Sequence, residues 1–173
     1  SPDSRIMAPY GLWCGDYKAF NSYINASRLP LVYSQALTGG LSSYLMPIFY
    51  YYEQMIDDLK KNASRLYGCR GIFIPEVIAP QSALLGLVDP KIIHNVSIGG
   101  MIANLYYNYY LYTGDIKFLK ERALPFMKEV ILFYEEFLKI KPDGKYDCSP
   151  SYAPDGIPAN LSLENEIGIA RNS

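Results

Sequence analysis

The sequence predicts an all-α chain of antiparallel helical hairpins joined by long irregular loops. Apolar residues recur at steps of three and four in separate stretches, the mark of helices with one buried face. Strand signals are few, and Gly, Pro and Asp clusters punctuate the chain where one helical pattern gives way to the next.

Residues 1–28 mix aromatics, Gly, Pro and Asn without a helical period and read as irregular. Pro30 suits the first turn of a helix, where its missing N–H costs nothing, and Gly39-Gly40 interrupts it. Over 41–61, Leu45, Ile48, Phe49, Tyr52, Met55, Ile56 and Leu59 form one apolar face, with Pro47 as a kink or the start. Lys60 and Lys61 suit that helix's negative end. Residues 63–67 add a short turn before Gly68 and Gly71 break the pattern. Gly71 to Pro75 is an apolar run closed by proline, a small strand or an extended loop. Residues 76–96 read as a long loop, and loops of that length are often functional. A second strong helix spans 98–112, with Met101, Leu105, Tyr109 and Tyr112 on a face. Thr113-Gly114-Asp115 ends it, and Asp115 caps the next. A third helix, opened by Pro125, spans 125–139 and carries the stripe Phe126, Val130, Phe133, Tyr134 and Phe137. Pro142-Asp143-Gly144 is a turn, 145–161 is loop-like, and 163–170 begins another helix.

Composition fits one globular domain over 1–173: half the residues are apolar and 19% are charged. The net charge is -1 and no basic patch stands out, so nucleic acid is excluded as a partner. No apolar run is long enough to span a bilayer, and no signal peptide is visible at the N-terminus. Cys14, Cys69 and Cys148 are widely spaced and His94 has no nearby Cys, so neither a zinc site nor a disulfide framework is expected. No cofactor is implied. Asn25, Asn62, Asn95 and Asn160 each begin an Asn-x-Ser sequon, which matters only in a secreted eukaryotic protein. The chain has 17 Tyr against seven Phe and one Trp. Tyr suits half-buried walls, and filling cores and interfaces is its commoner use, ahead of stacking on sugars.

Several motifs occur in order. Gly11-Leu12-Trp13 precedes Tyr23-Ile24-Asn25, and Leu66-Tyr67-Gly68-Cys69-Arg70-Gly71 follows. Tyr110 to Asp115 then reads Tyr-Leu-Tyr-Thr-Gly-Asp, and Phe118 to Ala123 follows it closely. Last comes Ser149-Pro150-Ser151-Tyr152-Ala153-Pro154-Asp155. Together these resemble the catalytic domain of glycoside hydrolase family 95, which includes alpha-L-fucosidases. The family reads Gly-Ile-Trp, Asn-Ile-Asn, Tyr-Gly-Ala-Arg-Gly and Ser-Pro-Ser-x-Ser-Pro-Glu at matching places. The likeness runs from Gly11 to Arg171, and the Ser-Pro-Ser stretch is its most specific part. It implies an (α/α)6 toroid, with six inner and six outer helices around a sugar-binding cleft. Twelve helices with loops need roughly 300 residues, so this chain supplies about half. The remainder of the toroid then belongs to the same or another chain, and an apolar helix face is expected to stand uncovered without it. The resemblance further implies a carbohydrate ligand, an inverting mechanism and a secreted or periplasmic location.

Inversion needs two separated carboxyl functions, one protonating the leaving oxygen and one activating water. The resemblance puts the acid at Asp155, where the family has Glu. Asp is shorter by about 1.5 Å, one C–C bond, and a misplacement of about 1 Å is costly to rate. Asp155-Gly156 also reads as a simple turn pair. Asn25 matches the second Asn of the water-activating motif, while Tyr23 replaces the first. The later acidic residue of that apparatus would lie beyond Ser173. Asn25 also suits a plain turn. Glu76 stands where the fucosidases are His-rich, which argues against a simple fucoside. It reads as a hydroxyl binder, an alternative acid or a solvated loop carboxylate. Trp13, Tyr23, Tyr152 and Arg70 complete the candidate sugar contacts, with Trp13 equally suited to packing its segment down. The loops carrying Asn25, Glu76 and Asp155 are expected to meet at one rim of the toroid. A glycosidase is the leading reading. The departures at Tyr23 and Asp155 favour a non-catalytic glycan-binding or assembly module instead.

Overall fold

The computed structural model describes residues 24–79, 82–85 and 93–151. Over these the chain is mostly helical, with four two-residue strands. Strand β1 (Ile24–Asn25) leads through a 3-10 turn, Ala26–Arg28, into helix α1 (Leu29–Thr38). A second 3-10 turn, Ser42–Leu45, precedes α2 (Met46–Gln54) and α3 (Ile56–Tyr67). Strand β2 (Val77–Ile78) follows, then α4 (Ile98–Thr113) and the short α5 (Ile116–Phe118). A π-helical turn, Leu119–Ala123, runs into α6 (Leu124–Phe137), and β3 (Lys139–Ile140) pairs with β4 (Tyr146–Asp147).

The single helix expected over 41–61 is two helices. Pro47 has no N–H to donate, so it sits in the first turn of α2. Met55 leaves the helical conformation at φ -98 and ψ 5, dividing α2 from α3. The apolar stripe survives because one non-helical residue barely turns it: Ile48, Phe49, Tyr52 and Leu59 are all buried. Helix α3 absorbs residues 63–67 and stops at Gly68, whose φ of 66 lets its N–H reach back to Ala63 and Ser64. The apolar run after Gly71 is an extended segment, and the strand of this region lies just beyond it at Val77–Ile78.

Helix α4 buries Ile98, Ile102, Leu105, Tyr106 and Tyr109, whereas Tyr112, expected on that face, is 59% exposed. The core ends at Phe118, whose ring lies 4.3 Å from that of Tyr109, and the last turn of α4 extends past it. Asp115 caps α5 as expected, its Oδ1 accepting from the Phe118 N–H at 2.9 Å. Around the Pro142-Asp143-Gly144 turn, Lys139 pairs with Asp147 and Ile140 with Tyr146. This small hairpin was not expected. Its strands are too short to show an alternating pattern.

Two apolar clusters hold these elements together. In the larger, Tyr106 stacks on Phe126 at 4.4 Å and packs on Phe49 at 4.3 Å, while its hydroxyl donates to the Phe49 carbonyl. Glu53 accepts from Arg122 on both carboxylate oxygens, and the guanidinium lies 4.3 Å from the Tyr50 ring centre. In the smaller, Phe73, Phe133, Phe137, Cys69 and Cys148 pack together with Tyr67 against them. Both cysteines are buried. Gly71 passes so close to α6 that a Cβ there would lie 2.2 Å from the Glu129 carbonyl oxygen. Leu111, Tyr112 and Ile116 stand exposed around the α4–α5 corner. No helix among the described residues is long and apolar enough to cross a membrane.

Candidate functional site

The segment after Gly71 is drawn inward by its own composition. Ile72, Phe73 and Ile74 are almost fully buried. Backbone bonds from Ile72 N–H to the Glu129 carbonyl and from Phe73 N–H to that of Leu59 fix its path between α3 and α6. Glu76 emerges at the end of this buried run, partly exposed. Beyond it, Val77 pairs with Asn25 and Ile78 with Ile24 in an antiparallel register. The Ala26 N–H then donates to the Glu76 carbonyl at 2.8 Å. The Asn25 and Glu76 segments therefore meet at their backbones.

Side chains complete the arrangement. Ser27 Oγ donates to Glu76 Oε1. Asn95 Nδ2 donates to Glu76 Oε2 at 2.5 Å. Asn95 is itself buried, and its Oδ1 accepts from the Ser97 N–H at 3.3 Å and the Ser97 hydroxyl at 2.6 Å. Two distant pieces of sequence thus converge on the Glu76 carboxylate.

The loop after Glu76 is tied down from below. Tyr51 Oη donates to the Ala79 carbonyl at 2.8 Å, and Asn62 binds the Ala83 carbonyl and the Leu85 N–H. Ser82 donates to Asp58, which holds the Asp58 carboxyl below its usual range. Tyr52 is fully buried, and its hydroxyl has no hydrogen-bond partner among the described residues. Burial pushes this phenol well above its usual range, and the charges of Tyr51 and Glu76 add to the effect.

Of the other sequence candidates, Arg70 pairs with Glu136. Its backbone N–H and its Nε both donate to Glu136 of α6, and its side chain is largely exposed. Asn25 is described at its backbone. Trp13, Tyr23, Tyr152 and Asp155, with the helix expected over 163–170, lie outside the described residues. Ahead of Asp155, Cys148 and Ser151 are buried.

Ser27, Asn62 and Asn95 were not singled out from the sequence as site or loop-anchoring residues. Asn62 and Asn95 registered only as sequons, yet both are buried with their amides engaged inside the fold. The one local signal is Asn95-Val96-Ser97, a spacing at which an Asn side chain can accept from the N–H two residues on. Nothing local ties Asn95 to Glu76. Nearby, Tyr67 Oη and His94 Nδ1 share a hydrogen bond at 2.8 Å, and desolvation holds the imidazole below its usual pKa.

Comparison with known proteins bears on what this arrangement does. Residues 10–167 match the sequence model of the glycosyl hydrolase family 95 catalytic domain. The chain is also similar to a kojibiose hydrolase from Flavobacterium johnsoniae, with 28% identity over 118 residues. That alignment covers 64% of this chain but only 16% of the relative.

Proposed function

Because the chain belongs to the glycosyl hydrolase family 95 catalytic domains, we infer that its ligand is a carbohydrate. From that premise we propose that it forms part of an inverting glycosidase acting on a sugar other than a simple fucoside. The observation that carries this reading is Glu76, a carboxylate where the fucosidases are His-rich. It is clamped by Ser27 and Asn95 beside the strand that bears Asn25. A carboxylate held on both oxygens suits accepting from sugar hydroxyls better than donating a proton. Asp155 is then the acid, and Asn25 helps orient the attacking water. Glu76, Tyr152, Trp13 and Tyr23 line the sugar site. Arg70 is the weakest member of that set because Glu136 already occupies it. The rest of the toroid, in the same or another chain, packs over exposed apolar residues such as Leu111 and Ile116, and the protein works outside the cytoplasm.

The likeness to a kojibiose hydrolase makes kojibiose the first substrate to try. The test uses the full-length protein, a panel of glycosides that includes kojibiose and fucosides, and proton NMR of the released anomer. An inverted first product on a non-fucoside is expected. Asp155→Asn is expected to abolish turnover while leaving sugar binding in place. Unchanged turnover in that variant removes Asp155 as the acid. The departures at Tyr23 and Asp155 favour a second reading, a non-catalytic glycan-binding module. It prevails if the wild type binds sugars and hydrolyses none.

A further inference from the structure

We propose that Ser27 and Asn95 are positioning residues for Glu76, holding its carboxylate in one rotamer so that it can accept from a sugar hydroxyl. The proposal rests on the reading of Glu76 as a sugar contact.

A loop carboxylate on its own samples several rotamers, and fixing a Glu side chain costs conformational entropy. Here that freedom is already removed. The backbone carbonyl is bonded by Ala26, Oε1 by Ser27 and Oε2 by Asn95. The direction of the Asn95 amide follows from its surroundings. The Ser97 N–H can only donate, so the atom facing it must be Oδ1. Nδ2 with its hydrogens is then left to face the carboxylate, which can only accept when ionised. Asn95 is nearly fully buried and satisfied at both ends, so it is a built strut rather than a flexible surface group. A carboxylate has about four lone-pair directions. Ser27 and Asn95 fill two of them, which leaves acceptor directions on a residue that is partly exposed. The same strut explains why Asn95-Val96-Ser97 cannot serve as a glycan acceptor in the folded protein.

The test uses the full-length protein carrying Ser27→Ala, Ser27→Thr or Glu76→Gln. Ser27 is half-buried, so its variants avoid the folding risk of cutting into Asn95. In crystals of the wild type, Glu76 is expected in one rotamer; in Ser27→Ala it spreads over more than one. With kojibiose, Ser27→Ala is expected to raise KM about tenfold with little change in kcat, the pattern of lost ground-state binding. Ser27→Thr keeps the hydroxyl and restores both readouts. A purely structural role would not produce rescue together with a KM-only effect. Glu76 holding its single rotamer in Ser27→Ala overturns the proposal, as does Ser27→Thr behaving like Ser27→Ala. Glu76→Gln separates the two claims: an unchanged KM in that variant removes Glu76 as a sugar contact. The rotamer comparison needs no ligand and judges the positioning claim even if kojibiose proves not to be a substrate.

Discussion

Tyr106 and Glu76 are each gripped by several chain segments, but by different forces. Tyr106 is enclosed by the rings of Phe49, Phe118 and Phe126. Its fixity comes from excluded water and close packing, which act on any apolar group of the right shape. Glu76 is held by a hydroxyl, an amide and a backbone N–H. Those are directional bonds to particular atoms, and they fix an angle more than they add stability. The first kind of contact holds the domain together. The second fixes the direction of one carboxylate.

The two regions should therefore fail differently. The largest loss is expected in the ring cluster. Phe126→Ala removes the ring stacked on Tyr106 and should cost about 3–5 kcal/mol of unfolding free energy, measured by denaturant titration. Gly71→Ala comes next. Its φ of 74 strains any side chain, and the added Cβ would press on the Glu129 carbonyl and the Phe133 N–H. A loss of about 2–3 kcal/mol is expected, and a neutral Gly71→Ala would mean that the approach to α6 is looser than described.

The smallest effect concerns His94. Desolvation lowers its folded-state pKa, so the fold favours the neutral ring. Above the ordinary imidazole value the ring is neutral in both states and contributes no pH dependence. Below it the unfolded chain takes up the proton first, and stability declines as pH falls towards the lowered folded value. His94→Asn should therefore lose less stability than the wild type between about pH 7.5 and about pH 5. An equal loss in both proteins would rule out His94 as the source of the slope, because the lowered carboxyls of Asp58 and Glu136 lose their contribution only below about pH 5.

The same contrast governs how much was legible in the sequence. The stripes of α2, α3 and α6 were visible because a helix that buries one face must repeat at its own period. Asp115 was visible because a cap is a local device. The break at Met55 was hidden because a single residue hardly disturbs that period. The exposure of Tyr112 was hidden because it depends on where Phe118 ends the core, which is tertiary information. At the site, Glu76 could be picked out by its place after a buried apolar run. Its partners could not, since Ser27 and Asn95 lie 49 and 19 residues away from it in the chain. Hydrogen bonds at such separations leave no periodic trace. Arg70 belongs to a motif that looks functional, and its pairing with Glu136, 66 residues on, is equally invisible to local pattern.

The most direct test of this division compares Glu76→Gln with Phe126→Ala in the full-length protein, measuring kojibiose affinity and unfolding free energy on the same preparations. Glu76→Gln should weaken sugar binding at least about tenfold while shifting unfolding by no more than about 1 kcal/mol. Sugar binding left intact in Glu76→Gln, with an unfolding loss as large as that of Phe126→Ala, would contradict the account and make Glu76 a structural residue.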